Sequence, residues 1–205
     1  MEFFYKVFVR GDIPLFLFVS LIFVLGIIFG AVAVHTIDHS LQQDLFNYFN
    51  GFIEGISEIE YNQLALIGDS IKFNLLNVFV IWIFGFSVVL MPLIPVFVFF
   101  KGFILGFTVG FLTSQYSWQG VLVAVGAVLP QNLLIAPAYV LAGVTGISFS
   151  LHIIQYFQQK RRFAAGDIVD YTLRIFILGF LLLSGSLVEA YLSPRFFRFL
   201  TRVLW

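Results

Sequence analysis

Apolar residues in this chain do not alternate with polar ones but run together, in five stretches at 14–34, 73–90, 93–112, 120–151 and 171–192. A helix needs about 20 apolar residues to cross a hydrocarbon core of about 30 Å. The pattern therefore predicts an all-α bundle of about five membrane-crossing helices. The second and third runs are separated only by Met91 and Pro92, with Pro95 and Lys101 just beyond. One helix across both would be about 60 Å long at about 1.5 Å per residue, twice what a bilayer accommodates. A tight turn is expected at Met91 and Pro92, because proline interrupts the hydrogen-bond ladder.

Between the first two runs the pattern changes. Leu45, Phe46, Tyr48, Phe49, Phe52, Ile53 and Ile56 recur at helical spacing behind Gln42, Gln43 and Asp44, which predicts an amphipathic helix in the 35–72 loop. Gly51 and Gly55 weaken it, and Ser57-Glu58-Ile59-Glu60 is expected to begin another turn or helix. Such a helix either rests on the bundle and the lipid interface or offers a docking face. Leu45, Phe46, Phe49 and Phe52 are the candidate partner-binding positions.

Composition fixes the solvent. The 205 residues are 60% hydrophobic, include 28 phenylalanines and have a mean hydropathy of +1.02, more apolar surface than a soluble fold of this size hides. The whole of 1–205 reads as a single integral membrane domain, surrounded by membrane lipid. The formal net charge is zero and only 11% of residues are charged, so nucleic-acid binding and capture of an acidic substrate have no support. The absence of cysteine removes disulfides, thiolate metal sites and cysteine nucleophiles.

Lys6 and Arg10 ahead of the first run, with Ala31-Val32-Ala33 at its end, resemble a signal peptide, but the run exceeds the usual 7–15 residues. It is expected to be retained as a span. The distribution of Lys and Arg sets the orientation: Lys6, Arg10 and the Lys160-Arg161-Arg162 link face the cytoplasm, and the 35–72 loop, with Asp38, Asp44, Glu54, Glu58, Glu60 and Asp69, lies outside. Arg195, Arg198 and Arg202 then fall on the outer side. Either their amphipathic tail lies on the lipid surface, which we expect, or the number of crossings is even.

Candidate chemistry is sparse. Nearly every ionisable side chain falls in a loop or at the edge of a run; Lys101 and Glu189 are the exceptions, lying within apolar runs. An ionisable group there costs several kcal/mol unless paired or wetted, so the two are expected to face one another or a shared cavity. The alternative is that Lys101 snorkels and Glu189 sits at the interface. Gly102, Gly106 and Gly110 share one face of the third run, and Gly26 and Gly30 repeat the pattern in the first. Small faces of this kind let helices approach closely, within this chain or in a homodimer. The fourth run is interrupted near Pro130 by Leu129-Pro130-Gln131-Asn132, followed by Pro137. Such a break either lines a transport site or is a kink whose amides find bonds in the bundle. His35 and His39 would share a helix face and are candidate metal ligands with Asp38 or Asp44, although a polar span boundary explains them better. No nucleophile and base pattern is present, so neither an enzyme nor a cofactor is expected.

The motifs together resemble the stage II sporulation protein M family, over about Leu15 to Pro194. They are Leu17-Phe18-Val19-Ser20 with Gly26 to Ala31, Asp44-Leu45-Phe46, Lys101-Gly102-Phe103 to Gly110-Phe111-Leu112, Leu129-Pro130-Gln131-Asn132 with Pro137, Ser148-Phe149-Ser150-Leu151, and Val188-Glu189-Ala190-Tyr191 with Ser193-Pro194. The resemblance implies a five-span inner-membrane protein of the mother cell, needed for forespore engulfment. It further implies a non-enzymatic scaffold that localises two partners at the septal membrane, a peptidoglycan amidase/endopeptidase and a lytic transglycosylase. The paired histidines are not among the shared motifs. A small transporter or channel, using Lys101, Glu189, Gln131 and Asn132 around the fourth run, is the alternative.

Overall fold

The computed structural model describes residues 13–58, 63–158 and 165–204. Among them the regular elements are helices: α1 (Ile13–Ala33), α2 (His39–Glu58), α3 (Gln63–Phe86), α4 (Leu93–Val123), a π turn (Ala124–Val128), α5 (Leu129–Gln158) and α6 (Ala165–Leu204). Three helical stretches, Ile13–Ala33, Leu93–Gln158 and Ala165–Val188, are long and apolar enough to cross a membrane, and Ser70–Phe86 is a shorter apolar helix. Leu17, Leu21 and Phe29 of α1 are each more than half exposed. An apolar outer surface of this kind suits lipid rather than water.

The 66 residues of Leu93–Gln158 would be about 100 Å long if straight, over three times the hydrocarbon thickness. They do not run straight. Ser117 adopts φ 48°, ψ −124° and turns the chain back on itself. Leu112 from before the turn packs with Val123, Ala124 and Ala127 from after it. A Cβ added to Gly120 would overlap the Leu112 carbonyl. A non-glycine residue at positive φ costs of order 1–3 kcal/mol and persists only when its surroundings over-determine it; this small core supplies that constraint. With the reversal, the apolar elements among the described residues are α1, α3, 93–116, 118–158 and α6. The predicted helical membrane bundle is thereby realised.

The turn expected at Met91 and Pro92 is present but begins earlier, since α3 ends at Phe86. Met91 N–H donates to the Ser87 carbonyl at 3.0 Å and Leu93 N–H to Leu90 at 2.9 Å. Pro92 caps α4, at a helix start where its missing N–H leaves no bond unmade. The last carbonyls of a helix lack intrahelical donors. Here Ser150 Oγ donates to the Gly85 carbonyl at 2.7 Å, and the Tyr171 hydroxyl donates to that of Trp82 at 3.0 Å. The ring of Tyr171 stacks on Phe149 at 4.0 Å with Phe86 edge-on at 5.3 Å, pinning the end of α3 to α5 and α6.

Helix α5 occupies the centre and touches α1, α3, α4 and α6. Its buried residues include Ala138, Ala142, Gly143 and Gly146, small enough to let four neighbours approach. One end of the bundle carries the start of α1, the 87–92 turn, the end of α5 and the start of α6. The opposite end carries α2 and the Ser117 reversal, joined where Phe46 stacks on Tyr116 at 5.8 Å.

One expectation is corrected. Ser57 and Glu58 do not begin a new element; α2 runs through them, with Gly51 and Gly55 inside it. Residues 59 and 60 of that motif lie outside the described residues. The tail from Ser193 continues α6 as part of one element of 40 residues. The Phe196 ring lies where a side chain on Gly126 would be, so the glycine of the π turn gives the tail a seat on the bundle.

Candidate functional site

A polar cluster in the middle of the bundle draws one residue from each of four helical elements. Asn74 on α3 is 4% exposed and accepts from the Tyr139 hydroxyl of α5 at 3.0 Å. Its Oδ1 also accepts from Lys101 Nζ of α4 at 3.5 Å. Its Nδ2 donates to Ser186 Oγ of α6 at 2.9 Å, and Ser186 in turn donates to the Leu182 carbonyl at 3.0 Å. The Lys101 ammonium lies 4.7 Å from the Phe73 ring centroid and 4.5 Å from that of Tyr139. Two aromatic faces and an amide dipole thus hold a cation that hydrocarbon would not solvate.

Lys101 reaches this place because the helix carrying it is held tightly against α1. The two glycine faces meet: a Cβ on Gly26 would overlap the Phe99 carbonyl, one on Gly30 that of Phe103, one on Gly102 that of Phe23 and one on Gly106 that of Ile27. At Gly110 the nearest atom would be Ala31 Cα at 3.0 Å. Backbone meets backbone along three turns, so α1 and the 93–116 arm run parallel. The glycines of 102–110 are occupied within the chain.

The interruption near Pro130 takes the form of the π turn. Proline has no N–H for the carbonyl four residues back and its ring crowds that carbonyl. The preceding turn widens, and Leu129 N–H bonds to Ala124 five residues away. Asn132 Nδ2 donates to the Val128 carbonyl at 2.8 Å, so this amide is spent on its own helix. Gln131 is half-buried beside it. Ile135 faces Gly185 and Gly126 faces Phe196, an antiparallel register that sets residue 189 level with Asn132. The Glu189 side chain lies outside the described residues, and so does the expected facing of Lys101 and Glu189.

A family model described as stage II sporulation protein M matches residues 19–194. The chain belongs to the stage II sporulation protein M family. No curated protein and no solved structure matches it. Membership makes it a sporulation-related membrane protein, of a family not known as enzymes. The motifs that resemble the family fall on the joints just described: Lys101 in the polar cluster, Gly102 to Gly110 on α1, Ser150 on the Gly85 carbonyl.

Helix α2 is tied to the bundle at its start, where Gln42 Nε2 donates to the carbonyls of Val34 at 3.1 Å and Ile37 at 3.4 Å. Leu45 is half-buried, and Phe46 is turned toward Tyr116 rather than outward. Tyr48 is 78% exposed and Leu41 49%. The side chains of Phe49 and Phe52 lie outside the described residues. His35 and His39 do not share a helix face, because α1 ends at Ala33 in a turn closed by Thr36 Oγ1 on the Ala33 carbonyl at 2.8 Å. His35 lies in that turn and His39 opens α2. Among the described residues no group of three or more metal-ligating side chains occurs.

Charge alone pointed to Lys101; Asn74, Tyr139 and Ser186 escaped because they are neutral. Their signal was a polar atom within an apolar run, which in hydrocarbon demands a partner.

Proposed function

We propose that this protein is a non-enzymatic scaffold of sporulation that holds peptidoglycan hydrolases at the septal membrane during engulfment. The observation that carries the reading is α2. An amphipathic helix is fastened at one end of the bundle by Gln42 and Phe46 and displays Leu41 and Tyr48 to the surroundings. Apolar positions on an otherwise polar helix favour a protein or interface contact over water. With the N-terminus cytoplasmic, this end of the bundle faces the wall, where an amidase/endopeptidase and a lytic transglycosylase would bind. The polar cluster and the glycine seam then serve rigidity, presenting α2 in one orientation. Two of the residues the transporter alternative would use are engaged within the bundle, Asn132 on the Val128 carbonyl and Lys101 between two rings, which favours the scaffold.

Co-purification from detergent tests the reading. The intact chain is expected to retain both hydrolases, and a chain with 45–60 replaced by a polar helix of equal length to lose them while keeping its fold. Equal recovery with both chains sinks the docking role of α2.

A further inference from the structure

Along the outer side of α3 and α6 runs an open groove of about 600 Å³. Leu76, Phe79 and Trp82 form one wall and Phe176, Phe180 and Leu183 the other. Its lining is apolar except at the two ends. Lys72 stands at one end, and at the other the groove closes where Trp82 Nε1 donates to Thr172 Oγ1 at 3.3 Å. The floor is Gly179, a buried residue whose added Cβ would nonetheless meet nothing within 4 Å. Empty space above a buried glycine is what makes this a groove rather than a packed helix seam.

From Lys72 to Trp82 the groove extends ten residues along α3, about 15 Å at about 1.5 Å per residue. That is half of a hydrocarbon core of about 30 Å, the depth of a single leaflet. Lys72 is exposed, two residues inside the start of the apolar helix Ser70–Phe86. An extended apolar slot about as long as a leaflet is deep, with an exposed cation at one end, matches one lipid species in shape and charge.

We propose that this groove is a binding site for an anionic phospholipid, with one acyl chain lying over Gly179 between Phe79 and Phe180 and the phosphate at Lys72. Trp82 at the closed end reports on the chain directly. In the full-length protein carrying Trp118→Phe and Trp205→Phe, Trp82 is the remaining tryptophan. The protein is reconstituted in phosphatidylcholine vesicles with increasing fractions of chain-brominated phosphatidylglycerol, and in parallel with brominated phosphatidylcholine.

Quenching of Trp82 by the brominated phosphatidylglycerol is expected to saturate well before its bulk mole fraction does. The anionic lipid is expected to be favoured about fivefold, the preference one lysine near an anionic headgroup supplies. Gly179→Phe is expected to fill the groove and abolish the saturable component, and Lys72→Gln to remove the headgroup preference while leaving chain quenching in place. Quenching that tracks mole fraction identically for both lipids and all variants overturns the site. That result assigns the groove to ordinary solvating lipid or to a partner's helix. Retained preference in Lys72→Gln, an exposed position whose change leaves the fold intact, likewise overturns the headgroup assignment.

Discussion

Replacing Asn74 by alanine removes the residue through which four helices share hydrogen bonds. Asn74 accepts from Tyr139 and Lys101 and donates to Ser186. Interhelical hydrogen bonds in membranes are worth about 0.6 kcal/mol on average and about 1.7 at most, so three account for about 2 kcal/mol. The Lys101 ammonium also loses its amide acceptor, and weakening the contacts of a half-buried charge adds about 1–3 kcal/mol more. Asn74→Ala is therefore expected to destabilise by about 3–5 kcal/mol. Lys101→Met alone is expected to shift stability by no more than about 1 kcal/mol, because lost cation–π contacts are offset by the desolvation that a buried charge no longer requires. The second term vanishes once the charge is gone, so the double variant should be at least about 1 kcal/mol more stable than the sum of the singles. Unfolding in mixed dodecylmaltoside and dodecyl sulfate micelles, followed by far-ultraviolet circular dichroism, reads all four proteins. The reasoning fails if Asn74→Ala lies within about 0.5 kcal/mol of the parent, or if the two substitutions simply add.

Gly106→Leu drives a side chain into the Ile27 backbone, and unlike a side-chain clash this cannot relax by a rotamer change. A loss of about 3 kcal/mol or more is expected in the same unfolding assay, whereas Gly68→Ala, exposed and with open space around an added Cβ, should stabilise by about 0.5–1 kcal/mol. Phe46→Ala removes the stack on Tyr116. Amide hydrogen exchange across α2 should quicken several-fold, corresponding to about 0.5–1.5 kcal/mol for an aromatic pair, with α5 unchanged.

The runs of apolar residues made the bundle legible, since length and continuity suffice to recognise a crossing helix. The glycine faces were equally readable, because spacing by four places Gly102, Gly106 and Gly110 in line whatever their neighbour. Which neighbour they meet was not readable from spacing, and the structure places Gly26 and Gly30 opposite. Reversal at Ser117 was hidden for a different reason. The polar stretch around it marks a gap between runs, yet nothing about a serine foretells a positive φ; the Leu112 to Ala127 packing imposes it. In the polar cluster, lysine stood out by its charge, whereas Asn74 and Ser186 became visible only when the helices were brought together. Position along the chain carries no record of which polar atoms will share a level in the membrane.

The π turn before Pro130 has a geometrical effect beyond accommodating a proline. One extra residue in an otherwise regular helix advances its angular phase by about 100°, since each residue of an α-helix occupies that much of a turn. The chain ahead of Ala124 presents Val123 to Leu112, and the chain beyond Val128 presents Tyr139 to Asn74. A single continuous rod is in this way two rods glued with a twist, each aimed at a different set of neighbours. Deleting one residue from Ala124–Val128 would keep the rod and swing every contact beyond it to the wrong compass bearing.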